Sequence, residues 1–129
     1  MTNLSDKSLE LLKDCHPNIQ KVVLTAAKSH NFVVTCSHRG KEAQDEAVRT
    51  GKSRTPFPTS KHNVLPSLAV DLAPNPVDWA DRNRFIYLAG VIMGIAEVLD
   101  IKMRWGGDFN RDGNLKNDSF IDLPHFELI

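Results

Sequence analysis

Apolar residues near the start of the chain recur every three or four positions, the spacing that places side chains on one face of a helix. Ser5 and Asp6 can cap a short first helix. The apolar face of this helix consists of Leu4, Leu9, Leu11 and Leu12. Pro17 suits the first turn of a second helix, which ends near Ser29 and His30. The pattern therefore predicts two amphipathic helices at the start of the chain.

Short segments rich in β-branched and aromatic residues predict strands. They span residues 32–36, 68–73, 102–105 and 125–128. Glycine or proline follows each of the first three segments within a few positions and can end the strand. We expect these strands to form one small sheet.

Two further helices are predicted between the strands. Residues 41–50 are mostly helix formers, and a glycine follows them. Asp78 can cap the last helix, with Trp79 in its first turn. Residues 85–99 are apolar on most sides, which is typical of a buried central helix. Residues 52–66 contain three prolines and predict a long loop, a kind of segment that often carries function.

Helices that come first and strands that are interspersed later predict an α+β domain with a small, mostly antiparallel sheet of about four strands. The chain has 129 residues, of which 41% are hydrophobic and 25% charged, an ordinary globular balance. This length suits one core. We expect a single domain over residues 1–129, because the sequence shows no repeat, low-complexity tract or linker.

Charge and hydropathy exclude several classes of protein. The formal net charge is zero, because 16 basic residues balance 16 acidic ones. This balance argues against a general nucleic-acid binder and a polybasic membrane binder. No stretch approaches the ~18 apolar residues of a membrane span, and no signal-peptide pattern opens the chain. We expect a monomer that is made in the cytoplasm, with Cys15 and Cys36 as reduced thiols.

The end of the chain combines an apolar run with acids and a histidine. The residues expected to fill the core are Phe126, Leu128 and Ile129. His125 and Glu127, two positions apart, would then share the opposite face of a strand. Pro124 favours an extended approach to this strand, on which Asp122 can turn towards His125. An imidazole and a nearby carboxylate are the groups that a zinc peptidase needs.

Asp71 is also unusual in its surroundings, because it stands between Val70 and Leu72 in an apolar strand. A buried charge needs a partner or a metal. With His62 and His125 it makes a set of two histidines and one carboxylate. Three protein ligands and one open position describe a catalytic zinc site. Taken one at a time, His62 is explained as a surface histidine, Asp71 as a strand-end cap and His125 as a core histidine.

Taken together, these residues resemble a known family, the zinc D,D-carboxypeptidases and L-alanyl-D-glutamate endopeptidases. The motifs that carry the resemblance are Ser60-x-His62, Ala69-x-Asp71 and Asp122-x-x-His125. The family includes the vancomycin-resistance D,D-peptidases and small phage endolysins, and it shares its fold with the hedgehog signalling domain. The resemblance extends from about residue 33 to the end of the chain.

Two further segments look like parts of the same family. Residues 37–40, Ser-His-Arg-Gly, with Gln44 look like its arginine-bearing segment. Residues 105–108, Trp-Gly-Gly-Asp, look like a stretch of the endolysin members. One departure is the stretch from His62 to Asp71, which is two residues longer than usual and lacks a glycine. A surface loop tolerates such a change, which bears on the shape of the adjacent cleft.

The resemblance implies a zinc-dependent peptidoglycan peptidase of the phage endolysin type, which hydrolyses the L-Ala-D-Glu bond of the stem peptide. Zinc would be bound by His62, Asp71 and His125. Asp122 would be the catalytic base, and Arg39 would contact the substrate carbonyl. Such a protein would act on the cell wall after release, here without a separate wall-binding domain.

Three other residues receive roles near this site. Ser60 is expected either to bind substrate or to shape its loop, and Gln44 to bind substrate. Glu127 is the rival base, or a support for the histidine that shares its strand face. Asp122 is preferred as the base because it lies on a flexible approach to the strand.

Residues 108–114 match the opening of a calcium-binding loop. The candidate ligands for Ca²⁺ are Asp108, Asn110, Asp112 and Asn114. The closing glutamate is missing, and Asp118 and Ser119 stand near its position. A turn rich in Asp, Asn and Gly, which needs no ion, explains the same pattern.

Alternatives to the leading interpretation stay open. The enzyme could be a D-Ala-D-Ala dipeptidase or carboxypeptidase, or the domain could bind zinc without catalysis. The acid Asp122 beside His125 favours an enzyme. A thiol hydrolase based on Cys36 is disfavoured, because no positive partner lies near it in the sequence. The remaining histidines, expected at the surface, are His16, His30 and His38.

Overall fold

The computed structural model describes residues 3–114 and 121–129. Its helices are α1 (Asp6–Leu12), α2 (Pro17–Ala26), α3 (Lys41–Arg49) and α4 (Arg82–Val98). Its strands are β1 (Phe32–Cys36), β2 (Ala69–Pro74), β3 (Met103–Trp105) and β4 (His125–Leu128). A short 3₁₀ turn, Lys61–Asn63, lies within the long segment that was predicted as a loop. These elements confirm the predicted α+β class.

The strands form one antiparallel sheet in the order β1-β2-β4-β3. In the register of β2 and β4, Val70 lies opposite Phe126, and Asp71 lies opposite His125. Side chains alternate along a strand, and residues opposite each other share a face. One face of the sheet therefore carries the apolar pair, and the other carries the carboxylate and the imidazole.

The apolar face of the sheet packs against helices. Helices α1 and α4 contact the strands, and α2 packs on α4. The largest fully buried apolar side chains are Leu12, Ile19, Val22, Val23, Phe32, Val70, Leu72, Ile92 and Phe126. Burial of this surface is the main source of stability for the fold. Among the described residues, no helix is both long enough and apolar enough to cross a bilayer.

The start and the burial of α4 differ from the prediction. The helix begins at Arg82, because the Asp78 carboxylate accepts a hydrogen bond from Ala80 N at 3.0 Å and closes a separate turn instead. Trp79 lies in that turn and is 60% exposed. Tyr87 on the helix is 70% exposed, so α4 buries one face and is not enclosed on all sides.

The end of β4 corrects the prediction, and the starts of α1 and α2 show the residues that cap them. Ile129 is 55% exposed, because it lies beyond the last residue of β4. His16 was expected to be an ordinary surface residue. Its Nδ1 accepts a hydrogen bond from Asn18 N at 3.0 Å and caps α2. Ser5 caps α1 as predicted, because its hydroxyl accepts a hydrogen bond from Ser8 N at 3.1 Å.

Candidate metal centre and substrate cleft

Three neighbouring strands align polar side chains on the sheet face opposite the core. Asp71 of β2 lies opposite His125 of β4 on one side and opposite Cys36 of β1 on the other. A bulge between Val34 and Cys36 shifts the register of β1, and bulges often re-aim a side chain beside a functional site. A thiol, a carboxylate and an imidazole therefore lie in one row across the sheet.

His62 joins this row from the 3₁₀ turn. The Ser60 hydroxyl accepts a hydrogen bond from His62 N at 3.2 Å, and Asn63 Oδ1 accepts one from Ser60 N at 2.9 Å. This reciprocal capping box fixes the turn. The His62 carbonyl accepts a further hydrogen bond from Arg39 N at 2.7 Å, and the side chain is fully buried. The Ser60 hydroxyl thus shapes the loop, which is one of the two roles predicted for it, and its binding of substrate stays a prediction.

Three donor atoms converge at the centre of the site. His62 Nε2 lies 3.2 Å from His125 Nδ1 and 3.3 Å from Asp71 Oδ1. His125 Nδ1 lies 3.2 Å from the same carboxylate oxygen. In a tetrahedral zinc site with bonds of about 2.0–2.1 Å, neighbouring ligand atoms lie about 3.3–3.4 Å apart. The spacing and the chemistry of this donor set therefore suit zinc.

Each imidazole uses its other ring nitrogen for a hydrogen bond that sets the tautomer. His62 Nδ1 lies 2.6 Å from the Ser37 carbonyl oxygen, which can only accept, so Nδ1–H donates and Nε2 is the nitrogen whose lone pair becomes available when the ring is neutral. His125 Nε2 lies 2.7 Å from Glu127 Oε1, so in this ring Nε2–H donates and the lone pair of Nδ1 becomes available when the ring is neutral. Metal-binding histidines are commonly oriented in this way.

Cys36 lies on the far side of the His62 ring. Its Sγ is 3.8 Å from His62 Nδ1, the nitrogen that also contacts the Ser37 carbonyl. Cys36, His62 and Asp71 form a group that could bind a metal ion. His125 lies closer to the convergence point, because its Nδ1 is 3.2 Å from His62 Nε2, the opposite ring nitrogen.

The environment of Cys36 corrects the argument against a reactive thiol. Arg39 Nε donates a hydrogen bond to Cys36 Sγ at 3.3 Å. Burial raises the pKa of the Cys36 thiol, but the hydrogen bond to His62 and the charge of that ring lower it more, so the pKa is below its ordinary value. The prediction that no positive partner lies nearby was wrong. Arg39 stands a few positions later in the sequence and could have been noticed.

Contacts between acids and imidazoles set the pKa values at the centre. Burial lowers the imidazole pKa values, but hydrogen bonds to Asp71 prevail and raise that of His62 to about 10 and that of His125 to about 9. Burial raises the carboxyl pKa values, but the imidazoles hold the pKa of Asp71 well below its usual range and that of Glu127 at about 2. A cation that replaced the protons on His62 Nε2 and His125 Nδ1 would satisfy Asp71, and Glu127 would still accept from His125 Nε2.

Asp122 lies beside this group. Burial raises the pKa of its carboxyl to about 6, and the charge of Asp71 adds to the rise. Its backbone N–H donates to Gly106 O at 2.8 Å, and its carbonyl accepts from His125 N at 3.1 Å. A Cβ at Gly106 would lie 2.0 Å from Asp122 O, so the close approach requires glycine. The approach was expected to be flexible, but hydrogen bonds on both sides hold this backbone.

Gln44 supports Arg39 from behind. Arg39 Nη1 donates to Gln44 Oε1 at 3.0 Å, and its Nη2 lies 3.5 Å from Asp71 Oδ2. The Gln44 amide also donates to Ser53 Oγ at 3.0 Å and to Thr55 O at 2.6 Å. The side chain of Gln44 is fully buried and cannot touch a substrate. The structure therefore corrects the predicted substrate contact of Gln44 to a positioning role.

The predicted calcium loop uses its side-chain oxygens for backbone hydrogen bonds. The amides of residues 112–114 donate, at 2.8–3.3 Å, to the side chains of Asp108, Asn110 and Asp112. Such bonds explain the Asp, Asn and Gly pattern without an ion. Asp118 and Ser119 lie outside the described residues. Calcium at Asn114 and its neighbours stays a prediction of the sequence, and nothing in the described part of the loop supports it.

Two cavities meet at the centre. The larger, of about 920 Å³, is lined by Asp71, Trp79 and Phe85 among others. The smaller, of about 240 Å³, is lined by His62, His125, Glu127, Lys52 and Arg54 among others. Arg39, Lys52 and Asp122 line both cavities. A substrate that passes from one cavity to the other would therefore pass these three side chains.

The longer stretch between His62 and Asp71 contributes no side chain to the lining of either cavity between residues 63 and 68. The end of the stretch lies against the junction of α1 and α2, where Ser67 N donates to Asp14 O at 2.7 Å and Ser67 O accepts from His16 N at 2.9 Å. Its start stays near the site, because Asn63 Nδ2 donates to Arg39 O at 3.0 Å.

Comparison with known proteins places the chain among the peptidases. The model of the phage L-alanyl-D-glutamate peptidase family matches residues 1–129, and the chain belongs to that family. It is 27% identical over 133 residues to the L-alanyl-D-glutamate peptidase of Escherichia phage T5, a match that covers 97% of this chain and 94% of the relative. These findings confirm the resemblance drawn from the motifs.

A solved structure supports the same assignment. The L-Ala D-Glu endopeptidase ChiX of Serratia marcescens superimposes with a TM-score of 0.76 at 29% sequence identity. The superposition covers 96% of this chain and 87% of that one. The α+β fold is therefore shared along nearly the whole chain.

Proposed function

We propose that the protein hydrolyses the L-Ala-D-Glu bond of peptidoglycan stem peptides as a zinc-dependent endolysin. Membership of the phage L-alanyl-D-glutamate peptidase family supports this activity, as do the names of the phage T5 relative and of ChiX. The cleft supports it as well, because two cavities on either side of Arg39 and Asp122 suit a substrate that continues in both directions.

The metal would be held by His62, Asp71 and His125. The observation that carries this assignment is the mutual spacing of 3.2–3.3 Å among their three donor atoms. Cys36 is the weaker candidate, since its Sγ faces the protonated nitrogen of His62. Zinc bound at this centre supplies Lewis-acid chemistry, with the pKa of water lowered to about 7.

Asp122 would act as the general base. It borders both cavities, and a carboxyl pKa raised to about 6 suits a group that takes a proton near neutral pH. The proton that Asp122 takes from the attacking water would pass to the departing amine of D-Glu. Arg39 also borders both cavities, and its permanent charge suits it to the oxygen of the scissile carbonyl.

We infer where this activity takes place from the phage family to which the chain belongs. One catalytic domain would act as a monomer on the wall after release from the host cytoplasm, without membrane insertion or nucleic acid. Zero formal net charge suits such a protein, because it gives no general attraction to nucleic acid. Gel filtration with light scattering tests the monomer, and a second species at working concentration would contradict it.

The decisive experiment is digestion of purified peptidoglycan, with the new termini identified by mass spectrometry. We expect free D-Glu amino termini after digestion. New termini at D-Ala would favour the D,D-peptidase alternative, and no cleavage at any zinc concentration would favour a binding domain.

Metal analysis of two variants tests the ligand set. We expect one zinc per chain in the parent, loss of zinc in His125→Ala, and retention of zinc in Cys36→Ser. Loss of zinc in Cys36→Ser with retention in His125→Ala would instead assign the centre to Cys36, His62 and Asp71. Full activity of metal-stripped protein would overturn the zinc assignment altogether.

A further inference from the structure

An aromatic surface lines the larger cavity. The ring of Trp79 stacks on Phe85, with centroids 5.5 Å apart and 23° between the ring planes. Phe85 is buried in the fold at 3% exposure, whereas Trp79 remains 60% exposed. One side of the indole is therefore anchored on the protein, and the rest of its surface is accessible to a ligand. Both residues line the cavity that also includes Asp71 and Asp122.

The turn that carries Trp79 holds this surface in place. Its carboxylate cap, Asp78, accepts from Ala80 N at 3.0 Å, and the Asp78 carbonyl accepts from Asp81 N at 3.1 Å. Arg82 N then donates to Ala80 O at 3.1 Å as α4 begins. A side chain fixed before binding loses little conformational entropy when a ligand arrives.

The charges of the two cavities orient the proposed substrate. The smaller cavity is lined by four cationic side chains, Arg39, Lys52, Arg54 and Lys61, and by two carboxylates, Asp122 and Glu127. The larger has equal numbers of each sign, with Arg39, Lys52 and Arg82 against Glu46, Asp71 and Asp122. The amine product of the L-Ala-D-Glu bond carries the carboxylate of D-Glu that is not used in the next peptide bond. It therefore suits the smaller cavity, and the L-Ala side suits the larger.

We propose that Trp79 is a stacking platform for the N-acylated amino sugar to which the stem peptide is attached in peptidoglycan. The inference rests on the proposed function, because the sugar lies on the L-Ala side of the bond. A sugar ring presents an apolar C–H face that suits an indole and hydroxyl groups that suit a polar rim. Glu46, Thr50 and Arg82 supply polar side chains around this cavity, and Ala43 and Ala47 add two small side chains to its lining.

Two matched substrates test the platform by kinetics. One is a muropeptide with the amino sugar on L-Ala, and the other is the same peptide with an acetyl group in its place. We expect Trp79→Ala to lower kcat/KM for the sugar-linked substrate about tenfold more than for the acetylated peptide. Trp79→Phe should retain most of the parent's preference. The control is Tyr87→Ala, since Tyr87 is equally an exposed aromatic residue but lines neither cavity.

Binding without turnover separates this inference from the proposed function. The chain has two tryptophans, and Trp105 is buried at 8% exposure. Titration with the sugar attached to L-Ala alone should therefore change the fluorescence of Trp79, and the change should vanish in Trp79→Phe. If the parent protein binds the sugar-linked L-Ala but cleaves neither substrate, the proposed function is contradicted and the stacking role of Trp79 is supported. No fluorescence change, or equal kinetic losses on both substrates, would overturn the platform.

Discussion

Glu127 Oε1 lies 2.7 Å from His125 Nε2, two positions away on the same face of β4. The other carboxylate oxygen accepts hydrogen bonds from Arg104 Nε at 3.2 Å and Nη2 at 3.0 Å, and it lies 3.5 Å from Lys61 Nζ. Two cations thus hold one oxygen while the second oxygen orients the imidazole. This arrangement favours Glu127 as a support for His125 over its rival role as the base.

We expect Glu127→Gln to weaken zinc binding by about 10–100-fold, the usual cost of losing a partner that orients a metal ligand. The amide keeps the shape of the side chain but removes the charge that favours a donating Nε2–H on His125. Competition with a chelator of known affinity measures the change. The control is Glu97→Gln on the exposed side of α4. Loss of the rate at full zinc occupancy would instead make Glu127 the base.

Asp122→Asn should keep zinc and the melting temperature but lower the rate of wall lysis by about 10²–10⁴-fold. The amide has the same shape as the carboxylate and cannot take a proton. Zinc content, thermal melting and lysis of purified walls are measured on the same preparation. The control is Asp100→Asn. Asp100 is exposed, and asparagine tolerates its φ of 56°. Lysis by Asp122→Asn at the parent rate would exclude Asp122 as the base.

Gln44→Met should impair both stability and catalysis. Methionine has a similar length but leaves Arg39 Nη1 and the Thr55 carbonyl without their partner, which costs about 1–3 kcal/mol of unfolding free energy. We expect kcat to fall as well, because Arg39 loses a contact that positions it. The catalytic losses of Gln44→Met and Arg39→Ala should then be non-additive in the double variant.

A matched control separates positioning from packing. The Gln20 amide donates to Cys15 O at 2.8 Å, away from both cavities. Gln20→Met should therefore lower stability alone. Additive catalytic losses in the double variant of Gln44 and Arg39 would contradict the positioning role of Gln44.

Zinc binding should release about two protons per chain near pH 7. The pKa values of His62 and His125 in the metal-free site are about 10 and about 9, so both rings are charged at neutral pH and must lose a proton to bind metal. Calorimetry in buffers of different ionisation enthalpy measures the release. Zinc binding without proton release would contradict the raised pKa values of His62 and His125.

The same pKa values predict how stability depends on pH without metal. Both are raised above the ordinary value of 6.5, so the charged rings stabilise the fold fully below that pH. This contribution is lost as the pH rises through about 9 and 10. The measurement is made on Cys36→Ser. The lowered pKa of the Cys36 thiol would otherwise add stability as the pH rises and oppose this loss. A melting temperature that rises over this range would contradict the raised pKa values of His62 and His125.

Helices and strands were predictable wherever their signals are local. The helical spacing in α2, Pro17 at its first turn and the β-branched run of β1 depend on neighbours a few positions apart. The start of α4 was placed too early, at Asp78. A carboxylate before a helix can cap the helix or close a separate turn, and the sequence does not distinguish these outcomes.

The chemistry of the centre was visible in the sequence because Asp71 is out of place in an apolar strand and a buried charge needs a partner. The choice of nitrogen on each ring, the burial of Gln44 and the position of Cys36 beside His62 were decided by the tertiary structure. His62 and His125 stand 63 positions apart, yet their ring nitrogens lie 3.2 Å from each other. Strand register and the capped turn create that distance, and no local pattern encodes it, because each depends on pairing between distant segments.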